Sequence, residues 1–305
     1  MNYFKQTIIV GIIAAAVFAL VGCAGVPDEG EETAEPAPSE KPSEKPSEKP
    51  SEEKQEFKEV KEKIQVVERK SSYYPDGVLD EYKVFDYKDS AADVIEEELY
   101  SSSDELQERI EYTYEGDNCT EKISYGEDGE KLRTHAYSYD EQGNLVEDTL
   151  YDGDDNLRSI SRYEYNENGQ RTKWSIYDRN DSLLAYTEYT YEDGNNTRIE
   201  NYTPDGNMED YFVLEYNGED TLKKKIWYDG SGEVEEYRTY DYEDGALVLE
   251  VVFRGNDSVK RKILYSNNSQ GNPVDLVYMD GGDNVQERVK LEYTEKTETR
   301  KVAVD

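Results

Sequence analysis

The chain predicts an all-β fold: a repeat array of about eight β-hairpin units of 25–26 residues, forming an extended, twisted or coiled antiparallel sheet. Three observations predict it. Tyrosines recur in two interleaved series with one period, clusters of Asp, Asn and Gly fall just after them, and the runs between clusters are rich in Tyr, Thr, Val and Ile. Aromatic and β-branched residues suit strands, Asp, Asn and Gly accept the positive φ of tight turns, and even spacing of such runs marks an all-β array.

The elements follow in chain order. Residues 1–22 read as a signal peptide: Lys5 gives a positive start, and Ile8 to Val21 form an apolar run too short for a comfortable membrane span. The run closes as Leu20-Val21-Gly22-Cys23, which resembles the lipobox of bacterial lipoproteins. That resemblance implies cleavage before Cys23 and lipid on its sulfur and new amino terminus, with several acyl chains giving a stable membrane anchor. Residues 23–56 form a stalk in which Pro38, Pro42, Pro46 and Pro50 recur every four positions among Ser, Glu and Lys. A segment so poor in apolar side chains cannot offset the entropy of folding, and regular proline favours extension, to about 90 Å over roughly thirty residues. Residues 57–73 carry Phe57, Val60, Ile64 and Val67, a pattern that fits either a short amphipathic helix or a capping strand.

Residues 74–293 hold the repeats. The first tyrosine series runs Tyr87, Tyr114, Tyr139, Tyr165, Tyr191, Tyr216, Tyr242, Tyr265 and Tyr293. The second runs Tyr74, Tyr100, Tyr125, Tyr151, Tyr177, Tyr202, Tyr228, Phe253 and Tyr278. Before each first-series residue stands an aromatic or aliphatic partner two positions earlier, as in Tyr137/Tyr139 and Tyr163/Tyr165, and residues two apart share a sheet face. The positions between, such as Ser138, Glu164, Thr190 and Glu215, point to a wet opposite face. About eighteen strands at about 4.8 Å each would make an open ribbon near 80 Å long, with exposed edges guarded by Glu and Lys. Residues 294–305 are left as a C-terminal tail.

Tyr137-Ser138-Tyr139-Asp140-Glu141-Gln142-Gly143-Asn144-Leu145, followed by Asp152-Gly153, resembles the YD repeat of the RHS family, and Tyr163-Glu164-Tyr165-Asn166-Glu167-Asn168-Gly169-Gln170 is a second good copy. The aromatic-turn hairpins of MORN-type proteins are the near alternative. The resemblance covers about two thirds of the chain and implies strand-turn-strand units in a long curling sheet on a secreted or surface protein. Against the large members, this chain has too few repeats to close a shell, and no separate domain follows Tyr293.

The bulk properties narrow the function. A net charge of −36 argues against nucleic acid and anionic lipid surfaces as partners. No nucleophile–base pair, phosphate loop or metal-ligand spacing is legible, so the expectation is a protein that is not an enzyme, with no cofactor. His135 reads as a surface strand residue and Cys119 as an incidental small residue in a turn. The Asp-rich turns supply weak calcium candidates: Asp152, Asp154, Asp178, Asp181, Asp280 and Asp283. Tyr139, Tyr165, Tyr191, Trp174 and Trp227 are the candidate ligand-binding residues, since exposed aromatics stack on sugar rings or protein surfaces. The expected protein is thus a bacterial lipoprotein, lipid-anchored through Cys23 and facing outward, that binds a glycan or protein. The alternatives are a scaffold without a specific ligand and a polysaccharide hydrolase.

Overall fold

The computed structural model describes residues 57–88, 92–218 and 220–303, and every element in them is a β-strand. The lipobox and the stalk lie outside the described residues. The strands are β1 (Phe57–Tyr73), β2 (Leu79–Tyr87), β3 (Val94–Ser101), β4 (Leu106–Glu115), β5 (Asn118–Gly126) and β6 (Lys131–Tyr139). Then come β7 (Leu145–Asp152), β8 (Leu157–Tyr165), β9 (Arg171–Asp178), β10 (Leu183–Glu192), β11 (Asn195–Tyr202) and β12 (Met208–Tyr216). The last six are β13 (Leu222–Asp229), β14 (Val234–Glu243), β15 (Ala246–Arg254), β16 (Val259–Asn267), β17 (Pro273–Asp280) and β18 (Val285–Ala303).

Each strand pairs antiparallel with the next, and β18 pairs back onto β1 from Phe57↔Ala303 to Tyr73↔Arg288. The sheet is therefore a closed barrel, not the open or coiled ribbon expected. Closing it required a partner for each end, not more repeats. The segment left open between helix and cap is the 17-residue strand β1, and most of the expected tail prolongs the 19-residue β18. An edge strand presents a row of unpaired N–H and C=O groups, and pairing the two ends removes both rows. The Glu and Lys content expected to guard those edges instead pairs across the seam, where Lys63 Nζ lies 2.6 Å from Glu295 Oε1.

The turns are built as their residues predict. A typical one, after β6, has the Asp140 N–H donating to the Asn144 carbonyl and the Gly143 N–H donating to the Asp140 carbonyl. Gly143 takes the left-handed position at φ 84°. This is the three-residue hairpin loop with a bulge, which needs one residue of positive φ. Every described non-glycine residue with positive φ is an aspartate, including Asp155, Asp181 and Asp283.

The tyrosine series acquire a sharper register. Eight of the nine first-series hydroxyls donate to the backbone carbonyl twenty residues earlier, as Tyr139 does to Cys119 at 2.7 Å, Tyr165 to Leu145 at 2.8 Å and Tyr191 to Arg171 at 2.9 Å. The same latch is made by Tyr87, Tyr114, Tyr216, Tyr242 and Tyr293. In β16 it is made not by Tyr265 but by the Asn267 side-chain amide, which donates to the Leu247 carbonyl at 2.9 Å. The second series also shifts at its ends. Measured from the first residue of each turn, Tyr73 and Met279 hold the positions assigned to Tyr74 and Tyr278.

The two faces of the barrel wall differ. The residues between ladder aromatics, Ser138, Glu164, Thr190 and Glu215 among them, are exposed as expected and face outward. Side chains on a concave wall converge and crowd one another. Accordingly Glu97 and Glu250, on the face of the latch tyrosines, keep 16% and 10% of their side-chain exposure. On the other face Glu147 and Glu188 keep 36% and 45%, and the more covered Glu200 and Asp275 lie beneath their own arginine partners, Arg198 and Arg288. The latch face is the inner one. The described strands touch only their neighbours around the ring, and a ring of this strand number leaves an aqueous channel in porins.

Candidate functional site

The inner wall can be read in tiers. The latch residue is the first tier; residues two and four positions before it form the next two, each joined to its partner on the following strand. In the second tier Phe85 meets Glu97, Tyr112 meets Lys122, Tyr137 meets Asp148, Tyr163 meets Trp174 and Tyr189 meets Ile199. Leu214 meets Lys225 and Tyr240 meets Glu250 to continue that tier. A belt of rings, broken by charges, thus lines the barrel.

All five candidate ligand-binding residues face this interior. Tyr139, Tyr165 and Tyr191 sit in the first tier with their hydroxyls committed to backbone carbonyls, so only their rings remain to offer. Trp174 stacks on Tyr163 at 6.5 Å between ring centroids, and Trp227 stacks on Phe212 at 6.2 Å. Both indole N–H groups are buried without a hydrogen-bond partner. The Arg171 guanidinium lies over the Tyr163 ring at 4.6 Å, and the Lys225 ammonium lies 4.2 Å from the Phe212 centroid.

Charges inside the barrel are mostly paired. Lys83 donates to Glu97 at 2.6 Å, and so does the Tyr112 hydroxyl, also at 2.6 Å. Burial works against the Glu97 charge, but these two donors outweigh it and hold its carboxyl below the usual value. The same contact, together with burial as the larger cause, pushes the Tyr112 hydroxyl far up. Arg238 reaches Glu250 at 3.1 Å. His135 is not a free surface residue: it faces inward, stacks on Tyr137 and holds Asp148 at 2.8 Å through Nδ1. Sequence spacing hides this pair, because its members lie on adjacent strands. Cys119 faces inward too, its carbonyl taking the Tyr139 latch in the place that Leu145 and Leu222 fill elsewhere. Burial raises its thiol pKa.

The carboxylates of five of the six calcium candidates, all but Asp154, have other duties. Asp152 Oδ1 accepts from the N–H groups of Asp154 and Asn156, Asp178 Oδ1 from those of Asn180 and Ser182, and Asp280 Oδ1 from those of Gly282 and Asn284. These hydrogen bonds hold all three carboxyls below their usual values, led by backbone donors for Asp152 and Asp178 and by the Asn284 amide for Asp280. Asp181 pairs with Arg162 at 2.8 Å and Asp283 with Lys262 at 2.6 Å. Among the described residues, no three acidic, imidazole or thiol side chains converge as a metal site.

On the outer face the second series makes a different device. Tyr186 stacks on Tyr202 at 4.8 Å with Lys173 over Tyr186, and Tyr211 stacks on Tyr228 at 4.7 Å with Arg198 over Tyr211. Tyr237 and Phe253 stack at 4.7 Å beneath Lys224. These cation–ring–ring stacks, which sequence reading missed, were signalled by a Lys or Arg diagonal to the Tyr, two residues from its opposite position on the preceding strand.

No protein-family model matches the chain, and no curated protein matches it. Among solved structures it is similar to a porin-like protein from Bacteroides vulgatus, at 9% identity over 76% of this chain and 99% of that one, with a TM-score of 0.33. A porin-like protein from Bacteroides uniformis shows 14% identity over 62% and 96%, with a TM-score of 0.27. The TcdB2-TccC3-Cdc42 complex shows 14% identity over 73% of this chain but only 15% of that one, with a TM-score of 0.20. At these TM-scores the likenesses carry no conclusion about this chain.

Proposed function

We propose that the chain is an exported, lipid-anchored binding protein of a bacterial envelope, held through Cys23 on a Pro-Ser-Glu-Lys stalk, whose binding surface is the inner wall of its barrel. The observation that supports this reading most is the gathering of Trp174, Trp227 and the nominated tyrosines onto one concave face. The outer face does not suit a barrel immersed in lipid. The outer strands carry Arg162, Arg198, Lys224 and Glu188, and a basic side chain facing lipid at mid-membrane costs about 2–4 kcal/mol. The ligand is a glycan or a protein segment able to enter the ring.

The test uses the full chain in detergent against cell-wall polysaccharides, host glycans and matrix proteins. A saturable partner lost in Trp174→Ser and Trp227→Ser, with the circular dichroism unchanged, is the expected result. The tyrosine latches favour a second reading, a scaffold without a specific ligand, because they occupy hydroxyls that a binding site would use. A folded sample that captures nothing across the panel would select it.

A further inference from the structure

One sector of the inner wall departs from the rest of the molecule. From β8 to β13, the three tiers nearest the latch rim contain no Asp and no Glu, in a chain with 71 of them. The same sector holds both tryptophans of the chain. It also holds two cations without a carboxylate partner. Arg171 is bracketed by tyrosines and its Nε is buried unpaired, while Lys225 rests on Phe212. Elsewhere the inner wall pairs most of its charges locally, as Lys83 does with Glu97 and Arg238 with Glu250, although Lys122 rests against the Tyr112 ring.

An unpaired cation in such a setting is unfavourable for the empty protein. Burial lowers the Lys225 pKa and the nearby Arg238 lowers it further, with Glu250 partly opposing them. At Arg171 burial acts the same way, but the Tyr165 and Tyr189 hydroxyls outweigh it. An incoming anion would supply what both cations lack. The net charge of −36 does not forbid this, because at physiological ionic strength repulsion from distant charges is screened beyond about 8 Å. Arg171 on β9 and Lys225 on β13 are four strands apart, about 19 Å at about 4.8 Å per strand. The space between them is lined by rings, amides and hydroxyls.

We propose that this sector is the binding site for an acidic oligosaccharide, with anionic groups on Arg171 and Lys225 and sugar rings against the aromatic side chains between them. The spacing asks for a ligand with two charges on an extended backbone, which a small anion lacks. Ring and hydroxyl lining suits sugars, whose faces are C–H and whose rims are hydroxyl. The inference rests on the binding reading above and names its ligand class.

The experiment titrates full-length protein in detergent with tetragalacturonate, maltotetraose and a thymidine tetranucleotide. Tetragalacturonate is expected to bind at least tenfold more tightly than the other two. Lys225→Gln and Arg171→Gln should each weaken it at least tenfold, while Arg198→Gln on the outer face should leave it unchanged. Equal binding of maltotetraose overturns the acidic assignment and leaves glycan binding standing. Equal binding of the tetranucleotide overturns the carbohydrate assignment. An unchanged Lys225→Gln, or an equal loss in Arg198→Gln, overturns the location. If no tetramer binds to folded protein, the acidic-oligosaccharide inference falls, while the binding reading stands or falls separately on the polysaccharide and protein panel. If Arg171→Gln does not fold, Lys225→Gln and the ligand comparison decide.

Discussion

The two tyrosine series share a residue type and a period, yet they work by different physics. Apart from Tyr74, Tyr265 and Tyr278, first-series residues face inward and are held by their hydroxyls, and second-series residues face outward, several of them held by their ring faces. The natural replacements separate the two. Where the first series lacks Tyr, Asn267 keeps the donor and drops the ring. Where the second series lacks Tyr, Phe253 keeps the ring and drops the hydroxyl, and still stacks on Tyr237 at 4.7 Å. Periodicity alone therefore does not say what a repeated residue does; the replacement it tolerates does.

Alkali should break the comparison most severely, because it acts on every tyrosine latch at once. Burial pushes the Tyr87 and Tyr114 hydroxyls up to about 12, from an ordinary value near 10. A raised folded-state pKa means that the stabilisation is complete below the unfolded value and is lost as pH rises through the folded one. The β signal in circular dichroism should therefore hold to about pH 10 and collapse towards about pH 12, in step with tyrosinate absorbance at 295 nm. Full ionisation near pH 10 with the fold intact would mean that the latches carry nothing.

Single substitutions sharpen the contrast. Tyr228→Ala removes one ring of an outer stack and should cost about 2–3 kcal/mol in urea unfolding, from lost burial and stacking. Tyr165→Phe deletes a latch while keeping the ring and should cost about 1 kcal/mol, with the Leu145 carbonyl losing its donor. Tyr228→Phe, the smallest change, should fall within about 0.5 kcal/mol of the parent, since Phe253 already serves at the equivalent place. If Tyr165→Phe is as silent as Tyr228→Phe, the distinction between latch and stack fails.

Much of this was legible before any geometry. The turns, the strand runs and the exposed positions between ladder aromatics follow from residue type, because positive φ and two-residue alternation are local properties. The small errors came from matching tyrosine to tyrosine. Tyr265, Tyr278 and Tyr74 attracted the register, although it is set by the first residue of each turn, which puts Asn267, Met279 and Tyr73 in place. The site was legible only in its members. That Trp174, Trp227 and Tyr165 share a face follows from counting register along the strands, but that this face is enclosed does not.

The sequence by itself determined the repeat, the hairpin turns and which residues share a face, since each depends on contacts within about twenty-six residues. Tertiary structure alone decided that the two long terminal strands meet, Phe57 against Ala303, and so turned a ribbon into a ring with an inside. No local pattern encodes that meeting. It is settled by the twist accumulated over eighteen strands and by the removal of two unpaired edges, both properties of the whole sheet.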